Sequence, residues 1–285
     1  MRITKHYRFA GLDFTVELPE DAAYVEERNL TEFRAEPGQD PHRFLCDYVE
    51  ELPAPEGIQT VTQPNFTLYE VPGGHVRYIG GSNSYVRAEH RGKLHTVQVK
   101  KNPCNSRIGV KTLLESMEVE HLIARNDGFV FHCSYIDREG EAILFTAPSE
   151  TGKSTQADLW HQYRGAEIIN GDRAAIRLSD GILLAEGIPF AGSSQYCRNR
   201  TLPIRAIVYL GQAPKTTIRK LRGYEAFSKI WEGVSVNNWD REDLERVSAV
   251  VQKVASEIPV YHMPCTPDES AVIALEEALR KQVSL

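Results

Sequence analysis

A chain of 285 residues, 41% of them hydrophobic, can bury a real core and hold one large domain or two. Its net charge of −6 excludes nucleic-acid or anionic-membrane binding through bulk charge, and its five cysteines, far apart and without a C-x-x-C pair, suggest neither a disulfide framework nor a zinc site. The opening MRITKHYRFAGLDF lacks a continuous apolar stretch and nowhere do about 18 apolar residues run together, so we expect no export signal, no membrane span and a cytoplasmic protein.

In chain order, Ile3, Tyr7 and Phe9 before Gly11, and Phe14, Val16 and Leu18 after it, alternate as a pair of hairpin strands. Residues 21–57 are rich in charge and proline, and within them Phe44, Leu45, Tyr48 and Val49 fit one apolar face of a helix. From Phe66 to Val99, short apolar runs separated by Pro72-Gly73-Gly74, Gly80-Gly81-Ser82-Asn83 and Arg91-Gly92 read as an antiparallel meander. Residues 1–109 are thus expected to be a β-rich N-terminal region, and residues 110–285 an α/β domain. Asn102-Pro103 to Arg107 breaks the meander, and Val110, Leu113, Leu114 and Met117 recur at helical spacing toward Ile123. Phe129, Val130 and Phe131 begin a buried strand that carries His132 at its end.

Glu141 to Asp172 organises the rest. Ala142 to Phe145 is a short apolar strand, Ala147 to Ser154 follows the pattern A-x-x-x-x-G-K-S, a helix runs to Tyr163, and Ile168-Ile169 starts a second strand leading to Asp172. A helix opening at Gly152-Lys153 aims unpaired amides and its positive dipole end at the loop, where phosphate oxygens could sit. Lys153, read as an exposed loop lysine, would reach the phosphates as a point charge, and Ser154 would offer its hydroxyl to Mg²⁺. The plain alternative is a surface turn between strand and helix.

Ala174 to Leu178 and Ile182 to Glu186 flank the hairpin turn Ser179-Asp180-Gly181, and a long polar loop, Gly187 to Pro203, carries Ser193, Ser194, Arg198 and Arg200. Strands are expected over Ala206 to Leu210 and Thr216 to Leu221. The remainder reads as helices: Tyr224 to Trp231, Arg241 to Ser256, and a last one with Thr266 as N-cap and Pro267 at its first position.

The segment from Phe131 to about Leu210, under a third of the chain, resembles the kinases built like HPr kinase/phosphorylase and phosphoenolpyruvate carboxykinase. Four stretches carry the resemblance: Phe131-His132-Cys133-Ser134, APSETGKSTQADLW from Ala147 to Trp160, INGDR from Ile169 to Arg173, and GIPFAGSS from Gly187 to Ser194. It looks closest to the HPr-kinase-like proteins found beside peptide-modification and cofactor-maturation genes. The resemblance implies an α/β, HPr kinase/carboxykinase-like P-loop core with an N-terminal β-rich portion, and an ATP- and Mg²⁺-dependent phosphotransferase acting on a hydroxyl, serine of a peptide or small protein. Phosphorylation of a small molecule and a nucleotide-binding regulator or pseudokinase are the alternatives, and homo-oligomerisation stays open.

Residue by residue, the resemblance implies that Ala147, Ser149, Glu150, Thr151, Gly152, Lys153, Ser154 and Thr155 hold the nucleotide. Ser154 and Asp172 hold magnesium, and Asp172, Lys153 and His132 are catalytic. Asp172 matches the family's base toward the acceptor serine, and His132 a histidine near that base. Elementary chemistry agrees, because phosphoryl transfer needs charge neutralisation and in-line positioning more than covalent chemistry. A turn aspartate after Gly171 and a satisfied polar residue at a strand end are the competing readings of Asp172 and His132. Arg173, Arg198 and Arg200 are candidate phosphate clamps or structural arginines. Three positions depart from the family: Arg173 replaces a second aspartate, Thr155 a glutamate, and Glu150 the glycine between Ser149 and Thr151.

Overall fold

Alternation with a period of two governs the first hundred residues and turns them into one sheet. The computed structural model describes residues 1–20, 28–101, 110–190, 192 and 196–283, so the break expected over Asn102 to Arg107 and the serines Ser193 and Ser194 lie outside the described residues. The chain divides into two units, Met1–Val119 and Glu120–Leu285.

Unit 1 holds β1 (Arg2–Phe9), β2 (Leu12–Pro19), a short α1 (Arg28–Thr31), β3 (His42–Val49), β4 (Ile58–Gln63), β5 (Phe66–Val71), β6 (Gly74–Ile79), β7 (Val86–Arg91), β8 (Leu94–Lys100) and α2 (Val110–Ser116). Its eight strands form one sheet in the order β1-β2-β3-β8-β7-β6-β5-β4. The hairpin at Gly11 and the meander stand as read. The helical face drawn through Phe44, Leu45, Tyr48 and Val49 does not form. Those residues lie in β3, which runs parallel to both β2 and β8 and buries Phe44 and Cys46 on one face. Two neighbouring strands satisfy its backbone, which outweighs a helical spacing of four residues. β4, with the polar sequence IQTVTQ, escapes the pattern because it is a largely exposed edge strand.

The helix expected from Val110 to Ile123 is two, α2 and α3 (Val119–Ala124), interrupted where Glu118 takes φ 49°.

Unit 2 continues with β9 (Gly128–His132), β10 (Ser134–Arg138), β11 (Glu141–Thr146), α4 (Lys153–Arg164), β12 (Glu167–Asn170), β13 (Arg173–Ser179), β14 (Ile182–Gly187), β15 (Thr201–Gln212), β16 (Arg219–Leu221), α5 (Gly223–Trp231), β17 (Val234–Ser235), α6 (Arg241–Glu257), β18 (Val260–Cys265) and α7 (Glu269–Val283). Its large mixed sheet runs β12-β10-β11-β15-β14-β13-β9-β17, with β18 also paired to β15. β11, β15 and β18 are parallel, so their C-terminal ends, Thr146, Gln212 and Cys265, lie together.

The faces of β11 explain the layering. Ile143 and Phe145 join Trp160 of α4 and Val272 and Leu275 of α7 in one core, while Leu144 joins Ala226 and Ile230 of α5 and Val247, Val251 and Val254 of α6 in the other. Both faces of the parallel strands are thereby covered, as such strands require.

The C-terminal third is less purely helical than its sequence suggests, since VYHMPC forms β18 between β15 and β16. The last helix begins at Glu269, where Asp268 accepts the Ser270 amide at 2.9 Å; Thr266 instead shares hydroxyl hydrogen bonds with Thr216 and Ser270. No helix among the described residues is long and apolar enough to cross a membrane.

Candidate active site

Three short connections meet at the C-terminal end of β11. The loop from Ala147 to Gly152 leads into α4, and Gly152, its N-cap, adopts φ 113°, a left-handed backbone that a residue with a Cβ rarely takes. The Gln156 amide makes the first helical bond, to the Gly152 carbonyl at 2.9 Å. The amides of Lys153, Ser154 and Thr155 precede it and face out of the helix end. Ser149, Glu150, Ser154 and Thr155 are exposed, and Ala147 is buried.

Lys153 is not the exposed lysine expected from the sequence. It is 8% exposed, and its Nζ donates to the carbonyls of Ala147 at 3.1 Å and Pro148 at 3.3 Å. Burial draws its amine below the usual lysine range, opposed by the carboxylate charge of Asp172 nearby. Glu150 occupies its glycine-like position with φ 63°, and its carbonyl accepts from Gln212 Nε2 at 3.4 Å.

Asp172 lies in the bend between β12 and β13, beyond the end of the strand that the sequence places there. Its Oδ1 is 3.4 Å from His132 Nε2 and its Oδ2 is 3.3 Å from Arg173 Nε. The His132 hydrogen bond, then the Arg173 charge, hold the Asp172 carboxyl below the ordinary range against its partial burial. His132 ends β9 opposite Arg173 of β13, and Thr146, the last residue of β11, donates its hydroxyl to the His132 carbonyl at 2.9 Å. That bond ties the base of the loop to the histidine.

Asn170 fixes the bend, and sequence reading passes over it as a strand residue. Fully buried, it accepts the amides of Asp172 at 2.8 Å and Arg173 at 3.0 Å through Oδ1, and donates through Nδ2 to the carbonyls of Ile188 at 3.1 Å and Phe190 at 2.8 Å. The available signal was its place two residues before an aspartate, where an Asn side chain closes a turn on its own backbone. Of the GIPFAGSS segment, Gly192 comes against Asp172: a Cβ on Gly192 would lie 3.0 Å from that of Asp172. Asn170→Ala is expected to lower stability by about 1–3 kcal/mol, through backbone groups left unpaired. Thermal melting checks this, and a turnover loss exceeding the stability loss would show that Asp172 had been displaced.

Arg198 and Arg200 do not join the site. Arg198 pairs with Glu167 at 3.1 Å and Arg200 with Asp137 at 2.7 Å, at the opposite end of β10 and β12. Arg173 does join it, and also stacks its guanidinium 5.2 Å from the Phe190 ring centroid.

Beside the loop, Thr151, Gly152, Thr155, Leu210, Ala213 and Pro267 line a cavity of about 620 Å³. A larger one of about 780 Å³, among Arg222, Tyr224, Phe227 and Gln252, also touches Pro259 just before β18, so it opens at the other end of the parallel strands and holds none of these residues.

No family model and no curated protein matches the chain. Among solved structures it is similar to the Hpr(Ser) kinase/phosphatase from Coxiella burnetii, with 11% identity, coverage of 54% of this chain and 89% of that one, and a TM-score of 0.34.

Proposed function

We propose that the chain is an ATP- and Mg²⁺-dependent phosphotransferase of the HPr-kinase type, built on a P-loop core, that phosphorylates a hydroxyl, serine of a peptide or small protein. The observation that carries this reading is the meeting, at one end of the sheet, of a glycine-capped helix start bearing Lys153 and a carboxylate, Asp172, whose partner His132 is tied through Thr146 to the base of the loop.

The residues present suit the nucleotide. A 12-residue helix offers its N-terminal amides, a buried lysine amine rests on loop carbonyls that a phosphate oxygen could replace, and a cavity lined in part by Thr151, Gly152 and Thr155 adjoins the loop. ATP with magnesium supplies the phosphoryl group and neutralises its charge. Lys153 would turn its amine to the phosphate oxygens, and Ser154 and Asp172 would hold the metal. Asp172, kept anionic by His132 and Arg173, would accept the proton of the acceptor hydroxyl, and His132 would orient it. The β-rich unit 1 would contribute to acceptor choice.

Incubation with labelled ATP and Mg²⁺ against peptides encoded by neighbouring genes, read by mass spectrometry, tests the proposal. A phosphate's mass on a peptide serine supports it. Label transferred only to small molecules, or nucleotide bound and never transferred, replaces it with one of the two other readings.

The regulator reading is favoured by Glu150 and by Arg173, which sets a cation on the base. Glu150→Gly is expected to tighten ATP binding several-fold, by removing a like charge beside the phosphates, and to relieve about 1–2 kcal/mol of left-handed strain. Calorimetry and melting check it. Unchanged binding with reduced turnover would instead place Glu150 in the catalytic machinery.

A further inference from the structure

Unit 1 buries an acid that phosphoryl transfer does not need. The Glu118 side chain is 1% exposed, and its residue sits in the left-handed backbone region between α2 and α3. A buried carboxylate and a strained backbone are both unfavourable, so opposing groups must hold them. His75 Nε2 lies 2.7 Å from Glu118 Oε2, His90 Nε2 3.9 Å from Oε1, and Arg77 Nη1 3.4 Å from Oε1. His75 and His90 are directly opposed residues of β6 and β7, with ring centroids 4.9 Å apart.

We propose that His75, His90 and Glu118 form a binding site for a divalent transition-metal ion of the zinc class. One donor atom from each lies within 4.8 Å of the other two. A tetrahedral zinc ion with bonds of about 2.0–2.1 Å spaces its ligands roughly 3.3–3.5 Å apart. His75 Nε2, 2.7 Å from Glu118 Oε2, lies inside that spacing and every separation in the set is within 4.8 Å, so short side-chain rotations close it. Two imidazoles and a carboxylate select a borderline ion over Mg²⁺ or Ca²⁺, which prefer all-oxygen ligands.

The surrounding histidines supply the orientation such a site requires. His90 Nδ1 is 2.8 Å from His95 Nδ1, and His95 Nε2 is 3.0 Å from His42 Nδ1. A ligating imidazole donates its other N–H to a neighbour, which fixes its tautomer. With an ion bound, His90 donates from Nδ1 to His95, and His95 donates from Nε2 to His42. The reverse order, with His90 Nε2–H toward Glu118, serves the ion-free protein, and each ring keeps one proton in both. Arg77 stays on Oε1 with its guanidinium 4.0 Å from the Phe66 ring centroid, which makes Glu118 a one-oxygen ligand and limits the affinity. His121, Asp240 and Asp243 of unit 2 also gather three such groups, but Arg125 donates to both carboxylates, to Asp243 at 3.0 Å and Asp240 at 3.3 Å.

The test is titration of the chelator-treated full chain with Co²⁺ in excess Mg²⁺, followed by visible absorption, with Zn²⁺ as the displacing ion. One equivalent is expected to bind. His75→Ala, the mildest change because that side chain is 20% exposed, should weaken binding at least about tenfold, and Glu118→Gln likewise. His121→Ala should leave binding unchanged. Zn²⁺, and not Mg²⁺, should also raise the melting temperature of the unmutated protein, a readout that needs no folded variant. Absence of that rise, no Co²⁺ uptake, uptake unaffected in folded His75→Ala and Glu118→Gln, or uptake lost in His121→Ala would each overturn the proposal.

Discussion

Asp172→Asn is expected to lower turnover by about a hundredfold or more while leaving nucleotide affinity nearly unchanged. The amide keeps the shape of the bend, whose backbone is held by Asn170 rather than by the Asp172 side chain. It can neither accept a proton nor bind magnesium as an anion. Steady-state turnover together with calorimetric ATP binding checks the split, and activity within a few fold of the unmutated protein would remove Asp172 from the mechanism. A pH series adds a second check. Because the carboxyl is held below its ordinary value, its charge contributes stability that is present above about pH 3.9 and lost as pH falls through the lower folded value. The stability difference between the two proteins should therefore be flat near neutrality and shrink only in acid.

Lys153→Ala should reduce ATP affinity by roughly one to two orders of magnitude, the scale of one charge-assisted phosphate contact. The buried position of Lys153 changes what else is expected. Truncation also removes a packed stem, so the melting temperature should fall as well. Lys153→Met keeps the stem and removes only the charge. It should lose the affinity while keeping the stability, and unchanged ATP binding in Lys153→Met would sink the phosphate-site reading.

What could be read from the sequence was local. β11, the loop and α4 are legible because the continuous apolar run Ile143-Leu144-Phe145, a glycine with the required backbone, and a helix start fall within one short stretch. Asp172 was legible through its place after a second apolar strand. Asn170 was not, because two of its four hydrogen bonds go to carbonyls at Ile188 and Phe190, far along the chain. β3 was misread and β18 passed over for a related reason. Their neighbours, β2 and β8 for one, β15 and β16 for the other, are set by pairing over long separations that no window of residues contains. Glu118 broke a helix whose apolar spacing continued through it. The histidines that meet it lie on strands tens of residues earlier.

β15 has a bearing on how the molecule opens. Its residues 201–203 pair with β14, 204–209 with β11 and 207–212 with β18. The loop hangs from β11, and Asp172, in the bend between β12 and β13, is joined to it by two routes, β11-β10-β12 on one side and β11-β15-β14-β13 on the other. The amides at its centre should be among the slowest in the protein to exchange with solvent deuterium, protected until the whole of unit 2 unfolds. Because β15 holds β11, β14 and β18 at once, its detachment takes unit 2 apart as a whole rather than one element at a time, so in a denaturant series nucleotide binding and turnover should disappear at the same midpoint.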